Sequence, residues 1–174
     1  MAKQRGPSPL QVELAVRRFA SAGQEATIGL LRTASVIRRS LERVVEPEGL
    51  SLAQYNALRI VRGAGSGGIP TLAIRDRMIE EGTTITRILD KLSTAGWIVR
   101  ERDAADRRQV TCRATGAGKA LLDRLDPKVD RADAEVMTGL SASELGRLIH
   151  LHDRIRDANA ERGAARRPSD ARAG

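Results

Sequence analysis

Apolar residues recur at helical spacing in the first fifty residues of the chain. Between residues 24 and 45 they lie three or four positions apart, which places them on one face of a long helix. These residues are Ile28, Leu31, Ile37, Leu41 and Val44. Pro47 and Gly49 end the helix. A looser pattern over residues 10–19 predicts a short helix before it, with Leu10, Val12, Leu14, Val16 and Phe19 as its apolar positions.

A second group of helices follows from residue 51. Ser51 and Gln54 have the spacing of a capping box, in which each side chain bonds a backbone amide at the start of a helix. The apolar stripe beyond it consists of Leu52, Tyr55, Leu58 and Val61. The run GAGSGG at 63–68 predicts a flexible break. After it, TLAIRDRM predicts a short helix with Leu72, Ile74 and Met78 as its apolar positions.

The next helix has one apolar face and one polar face. Thr83 or Thr84 is expected to cap it, and Gly96 stops it as a left-handed C-terminal glycine. Its apolar residues are Ile85, Ile88, Leu89 and Leu92, and its outward residues include Arg87, Asp90, Lys91 and Thr94. In an amphipathic helix considered without its neighbours, such a polar face is usually only the side exposed to solvent.

The stretch GWIVRERDAADRRQVTC predicts an antiparallel hairpin with DAAD at its tip. Two strands alone are marginally stable in water, so Trp97 and Ile98 are expected to anchor the hairpin on the preceding helices. The far end carries Arg102, Arg107 and Arg108, with Asp103 and Asp106 among them. Two helices and an arginine-tipped hairpin in consecutive order predict a winged helix-turn-helix in a mainly α-helical chain.

Helical patterns return after the hairpin. Leu121, Leu122 and Leu125 begin one helix, and Pro127 is expected to bend it or to start a new segment capped by Asp126. Ser141 and Glu144 form another capping box. The apolar stripe that follows contains Leu145, Leu148, Ile149, Leu151 and Ile155. This stripe is either ordinary core or a surface covered by a second copy of the chain.

Composition narrows the class of partner. The 174 residues include 30 Lys and Arg against 22 Asp and Glu, a formal charge of +8. This excess favours a polyanionic partner, although solubility alone is the alternative. Phe19, Tyr55 and Trp97 are the only aromatic residues, so base stacking on single strands is disfavoured and duplex binding fits better. The sequence contains neither a signal peptide pattern nor a membrane-spanning run, which predicts a cytoplasmic protein.

Candidate chemistry beyond nucleic-acid binding is sparse. Cys112 is the single cysteine, and a small packing residue is the favoured reading over a redox sensor. His150 and His152 point to different sides of a helix, so neither a metal site nor a cofactor is expected. The sequence shows no phosphate-binding loop and no nucleophile motif, which argues against an enzyme. A basic RNA-binding or scaffold protein remains the alternative to a DNA-binding regulator.

The run TTITRILDKLSTAGWIVRERDAADRRQVTCRATGAGKALL resembles the recognition helix and wing of MarR-type transcriptional regulators. Asp106 and Arg108 match the family's Asp-x-Arg signature, and Thr115 and Gly118 match its Thr-x-x-Gly after the wing. Arg75 stands where the family usually has a small residue, and its common proline at the wing tip is absent.

The resemblance implies a role for each matching position. Thr84, Thr86 and Arg87 would face base edges and adjacent phosphates in the major groove, and Lys91 would meet phosphate. Arg108 would enter the minor groove, held by Asp106 through a charge-assisted hydrogen bond. Arg102 and Arg107 would contact the DNA backbone.

The resemblance also implies an organisation and a mode of action. By their polar composition residues 1–9 and 163–174 are expected to be disordered tails, and residues 10–162 would form one domain. Its DNA-binding core would span about 51–115, and dimerisation helices would span about 10–46 and 117–160. We therefore expect a homodimer on a near-palindromic operator of double-stranded DNA, acting as a ligand-responsive repressor. A small amphipathic or phenolic effector would release it from DNA.

Overall fold

The computed structural model describes residues 6–79, 84–102 and 109–165, with the backbone alone for 161–165. The helices are α1 Pro9–Glu13, α2 Ala22–Val45, α3 Leu52–Gly63, α4 Thr71–Arg75, α5 Ile85–Thr94, α6 Gly116–Val136 and α7 Ala142–Ala165. The strands are β1 Ile69–Pro70, β2 Ile98–Arg102 and β3 Val110–Ala114. A mainly helical chain with a small β wing is therefore confirmed. The chain divides into two compact units, one ending at Asp133 and the other beginning at Ala134.

The start of α3 confirms the capping box. The Ser51 hydroxyl accepts a hydrogen bond from the Gln54 amide at 3.2 Å, and Gln54 Oε1 accepts one from the Ser51 amide at 2.7 Å. Upstream, α2 ends in a 3-10 turn at Glu46–Glu48, and Gly49 reverses the chain with φ +79°. A positive φ is readily adopted by glycine because it has no Cβ. Capping and reversal together bring α2 and α3 into contact.

The first predicted helix is shorter than its apolar pattern suggested. α1 ends at Glu13, and Ala15 has a left-handed backbone with φ +53°. Val12 and Val16 are 67% and 37% exposed, so the stripe expected over residues 10–19 does not form one buried face. The apolar residues of this stretch fall mainly on alternate positions, which a helix cannot collect on one side.

The predicted hairpin forms and acquires a third strand. β2 and β3 pair antiparallel, with Arg100 opposite Cys112, and β1 pairs with the other edge of β3. β1 was not predicted because it contains only two residues and follows the glycine-rich run that predicted a flexible break. Gly68 makes this pairing possible: its φ is +72°, and an added Cβ would lie 2.8 Å from the Cys112 carbonyl oxygen.

The core of the first unit lies beneath α3, α5 and the sheet. Its largest fully buried side chains come from all parts of the winged unit and from α6, and they include Leu58, Ile74, Leu89, Ile98, Leu122 and Leu125. Trp97 packs against this core from the turn between α5 and β2. Gly96 ends α5 with φ +73°, as expected. Trp97 and Ile98 therefore anchor the hairpin as the sequence predicted.

Helix α4 is shorter than the run TLAIRDRM suggested. It ends at Arg75, and Ile74 is fully buried whereas Leu72 is 63% exposed. Leu72 was expected among the apolar contact positions and does not serve there. Arg75 is exposed and pairs with its neighbour Asp76.

Helix α6 overturns one of the two alternatives expected at Pro127, the start of a new segment. The helix runs through this proline without starting a new segment, and Asp126 does not cap a helix. Asp126 instead accepts hydrogen bonds from Tyr55 and Arg62 of α3. A contact between residues 71 positions apart has no local sequence signal, so the short-range reading of Asp126 as a cap was wrong.

Helix α7 begins as its sequence predicted. The Ser141 amide donates to Glu144 Oε2 at 2.8 Å, and the Glu144 amide donates to the Ser141 hydroxyl at 3.4 Å. Three apolar residues of its stripe remain exposed within the single chain: Ile149 at 61%, Leu151 at 51% and Ile155 at 47%. Among the described residues, none of the helices is long and apolar enough to cross a membrane.

Candidate nucleic-acid interface

Helix α5 separates its apolar and polar residues onto opposite sides. Ile85, Ile88, Leu89 and Leu92 are buried against the core. Thr84, Thr86, Arg87 and Lys91 are all exposed. Thr84 is the N-cap, but its side chain makes no capping hydrogen bond. The capping bond expected from Thr84 is therefore absent, and its hydroxyl faces solvent at the start of the helix; Thr83 lies outside the described residues.

A groove of about 230 Å³ lies between the start of α3 and the polar face of α5. It is lined by Ser51, Gln54, Thr84, Arg87, Ile88 and Lys91. Within residues 6–79, 84–102 and 109–160, neither Arg87 nor Lys91 makes an ion pair. The structure thus brings three predicted site residues, Thr84, Arg87 and Lys91, to one groove, where the two cations form no ion pair with any described residue.

The stem of the hairpin is tied to α5 and to itself by charged pairs. Arg100 of β2 bonds Asp90 of α5, and Arg113 of β3 bonds Glu101 of β2. Arg102, another predicted site residue, is exposed at the last position of β2. The remaining predicted residues of the hairpin, Asp106, Arg107 and Arg108, lie outside the described residues, and their roles stay predictions.

Thr115 joins the end of the hairpin to the start of α6. Its hydroxyl donates to the Gly96 carbonyl at 2.7 Å and accepts from the Gly118 amide at 3.0 Å. Its own amide donates to the Trp97 carbonyl at 3.0 Å. One threonine therefore fixes both the end of α5 and the start of α6, which gives a physical reason for the spacing of Thr115 and Gly118.

A polar cluster links α3 to α6. The Tyr55 hydroxyl donates to Asp126 Oδ1 at 2.8 Å, and Arg62 donates to Asp126 Oδ2. Burial alone would raise the pKa of Asp126, but the hydrogen bonds from Arg62 and Tyr55 outweigh it and hold the pKa below its ordinary value. Burial and the neighbouring carboxylate raise the pKa of Tyr55. Asp126 is thus held ionised by two donors from α3.

Cys112 is fully buried in β3. Burial raises the pKa of its thiol, which disfavours the thiolate needed for oxidation or metal binding. This environment supports the interpretation of Cys112 as a packing residue. Among the described residues, histidines included, the structure shows no group of three or more His, Cys, Asp or Glu placed to hold a metal ion.

Two features of this interface were missed in the sequence. Gln54 was read only as a capping residue, yet it also lines the groove beside Arg87 and Lys91. Asp90 is an exposed residue of α5, as expected, but its bond to Arg100 of the hairpin stem was not predicted. A capping box carries no signal about which neighbouring helix it faces, because that depends on how α3 and α5 pack.

Comparisons with known proteins agree with this geometry. Residues 50–118 match a profile described as a winged helix DNA-binding domain. A MarR transcription factor from Planctomyces limnophilus has a solved structure that is 36% identical in sequence. The alignment covers 78% of this chain and 98% of that one, with a TM-score of 0.62.

Two further proteins are similar over most of their length. Sco3205 of Streptomyces coelicolor, a MarR family regulator solved in complex with DNA, shares the fold with a TM-score of 0.73 at 16% identity. The match covers 81% of this chain and 90% of Sco3205. The HTH-type transcriptional repressor Rv2887 of Mycobacterium tuberculosis is 27% identical over 122 residues, which is 69% of this chain and 86% of Rv2887.

Proposed function

Because this chain belongs to the MarR family of winged-helix transcriptional regulators, we propose that it acts as a homodimeric repressor on a near-palindromic operator. In this proposal α5 enters the major groove of double-stranded DNA and the hairpin reaches the adjacent minor groove. Thr84, Thr86 and Arg87 face base edges and nearby phosphates, and Lys91 meets phosphate. Arg102 and Arg107 contact the DNA backbone, and Asp106 orients Arg108 in the minor groove.

The observation that carries this proposal is the polar face of α5. Four residues that can bind DNA are exposed on it, whereas the opposite face is buried. Arg87 and Lys91 have no ion-pair partner within the described ranges, so their charges are available to an anion. Arg87 can donate to guanine or to phosphate, whereas Lys91 suits phosphate as a point charge. A helix whose apolar face is buried and whose opposite face is exposed and cationic is suited to bind in the major groove of DNA.

Dimerisation is supported by the apolar residues that the single chain leaves in solvent. In α7 these are Ile149, Leu151 and Ile155, and in α2 they are Leu30, Leu31 and Val36. Contiguous exposed apolar surface marks protein interaction sites, and we propose that these residues contribute to one. We propose helices within residues 10–46 and 117–160 as the dimer surface, about 51–115 as the DNA-binding core, and residues 1–9 and 163–174 as tails outside the domain.

The direction of regulation and its signal complete the proposal. Repression is supported by the similarity to Rv2887, which is named a repressor. Release by a small amphipathic or phenolic effector rests on family membership alone. A reporter gene placed behind the selected operator tests both: expression falls when the protein is present and returns when a hydroxylated aromatic acid is added. Expression that rises with the protein would contradict repression.

Selection of bound sequences from a random duplex pool tests the DNA-binding proposal. We expect a near-palindromic motif whose half-sites lie about one DNA turn apart, 10 to 10.5 base pairs. The selected duplex should then compete better than random duplex and structured RNA, with an affinity that falls steeply as salt is raised. Equal affinity for all three competitors would favour a basic RNA-binding or scaffold protein instead.

A further inference from the structure

The groove between α3 and α5 presents hydrogen-bond donors and positive charge to the same small volume. Arg87 and Lys91 line one side from α5, and Ser51 and Gln54 line the other from the start of α3. Within the described part of the chain no carboxylate lines this groove. Because two cations and an amide are gathered here without a carboxylate among the described lining residues, the groove is suited to hold a negatively charged group.

Gln54 is a polar residue of the groove whose side chain keeps a hydrogen-bond donor that no described residue uses. Its side chain is 8% exposed, which makes it the one buried polar side chain among the described residues. Its Oε1 is occupied by the Ser51 amide at 2.7 Å. Its Nε2 group makes no hydrogen bond to any described residue, and it is not sealed from solvent. The capping bond thus fixes the amide with its oxygen turned to the backbone and leaves its two N–H donors for the groove.

We propose that this groove seats one phosphate of the DNA backbone, held by Gln54 Nε2 together with Arg87 and Lys91. The inference rests on the proposed function and adds Gln54, a residue of α3, to the contacts made by α5. In this arrangement Arg87 and Lys91 neutralise the phosphate, and Gln54 fixes its position with a directed hydrogen bond. The N-terminus of α3 borders the groove and carries the partial positive charge of the helix dipole. This charge adds to the attraction for a phosphate.

Seating a phosphate between two helices would set the register of α5 in the major groove. Phosphate contacts fix the orientation of a protein on the duplex, whereas base contacts specify sequence. Gln54 is held by its own capping box and lies on a different helix from the base-reading residues. A phosphate bound there would therefore determine how deeply and at which angle α5 enters the major groove of the DNA.

Gln54→Glu tests the proposal with little change to the fold. Glutamate at this position of a capping box is as suitable as glutamine, and a negative charge is favoured at a helix N-terminus. The variant should keep its melting temperature while placing a carboxylate where the phosphate would lie. We expect operator affinity to fall about tenfold or more, and the slope of log affinity against log salt to fall by about one.

Gln11→Glu is the matched control. Gln11 forms the same kind of capping box with Ser8 at the start of α1, and it does not line the groove. The substitution adds the same charge in the same local geometry. Because Gln11 lies within the residues proposed for the dimer surface, sedimentation velocity must first show that Gln11→Glu keeps the wild-type association state; it should then bind the operator with wild-type affinity. An equal loss in both variants would indicate a general charge effect and would overturn the inference.

Operators carrying one uncharged methylphosphonate at a time locate the phosphate. For the wild-type protein, one position in each half-site should weaken binding. On the operator that lacks this charge, the affinity lost through Gln54→Glu should be smaller, because the carboxylate no longer repels a charged phosphate. The affinity lost through Lys91→Gln should disappear on the same operator. If Gln54→Glu does not fold, the measurement is made with Lys91→Gln alone. Its loss of affinity must disappear when one particular phosphate is neutralised. An equal loss with every modified operator overturns the inference.

The outcomes separate this inference from the proposed function. If the wild-type protein prefers no duplex over random DNA, the proposed function fails and the inference fails with it. If the wild-type protein binds its operator and Gln54→Glu binds with the same affinity and salt slope, the proposed function stands and the phosphate seat is wrong.

Discussion

The carbonyl oxygen of Trp97 occupies the space that a side chain at Gly118 would need. A Cβ added to Gly118 would lie 2.1 Å from that oxygen, far inside van der Waals contact. We expect Gly118→Ala to force α6 away from the α5–β2 turn and to lower the free energy of unfolding by roughly 1–3 kcal/mol, as overpacking does. Urea denaturation measures the change.

Gly116→Ala provides the control within the same helix. An added Cβ at Gly116 meets nothing within 4 Å. Because alanine has a higher helix propensity than glycine, this substitution should leave the stability unchanged or raise it slightly. Equal stability of the two variants would contradict the tight contact between Gly118 and Trp97.

The Tyr55, Arg62 and Asp126 cluster predicts a pH-dependent contribution to stability. The pKa of Asp126 is lowered in the folded protein, so its contribution is complete above the ordinary aspartate pKa of about 4 and is lost as the pH falls through the folded value. Asp126→Asn should therefore destabilise the protein by roughly 1–3 kcal/mol at pH 7. The difference from wild type should narrow below about pH 4, which urea unfolding at both pH values measures.

Asp123→Asn is the matched control for Asp126→Asn. Asp123 also pairs with Arg62, at 3.4 Å, but its side chain is 73% exposed. An ion pair exposed to water contributes little to stability. Asp123→Asn should unfold close to the wild-type denaturant concentration at both pH values. If the two substitutions had equal effects, the special environment of Asp126 would be refuted.

Cys112 should be unreactive in the folded protein. Its thiol is fully buried and its pKa is raised by that burial, so thiolate is scarce and access is blocked. We expect a disulfide reagent to react slowly with native protein and rapidly once denaturant is added. Operator binding should also be unchanged after peroxide treatment. A fast stoichiometric reaction in the native state would instead indicate a redox sensor.

The predicted minor-groove role of Arg108 can be tested although this residue lies outside the described ranges. Arg108→Ala should weaken operator binding by roughly 1–3 kcal/mol and leave the melting temperature unchanged. Arg147→Ala removes the same charge from an exposed position of α7 and should bind normally. Fluorescence anisotropy with the selected operator measures both. Wild-type affinity in Arg108→Ala would rule out this role.

The exposed stripe of α7 predicts the effect of a charge on dimerisation. Ile149 is 61% exposed in the single chain, so Ile149→Lys should preserve the fold of the chain while disfavouring burial of this face in a dimer. His150→Lys places the same charge outside the apolar stripe, about 100° around the helix from Ile149, and should disturb association less. Sedimentation velocity measures the association state. A dimer of undiminished stability in Ile149→Lys would exclude this face.

Local sequence signals predicted the elements that depend on local chemistry. The capping boxes at Ser51 and Ser141 formed as expected, and the α5 pattern and Gly96 correctly set the end of that helix. β1 was missed and Asp126 misread because both depend on partners far along the chain. In the candidate site, α5 supplied recognisable residues, whereas Gln54 became part of it only through the packing of α3 beside α5.

The pairing of Arg100 with Asp90 has a mechanical consequence. It joins the stem of the hairpin to the middle of α5. The Thr115 hydroxyl joins the end of that helix to the base of the hairpin. These two contacts couple the helix to the stem, so we expect the two to move together. A signal that displaces α5 would then displace the hairpin as well. The contacts that these two elements make with DNA would be gained or lost together.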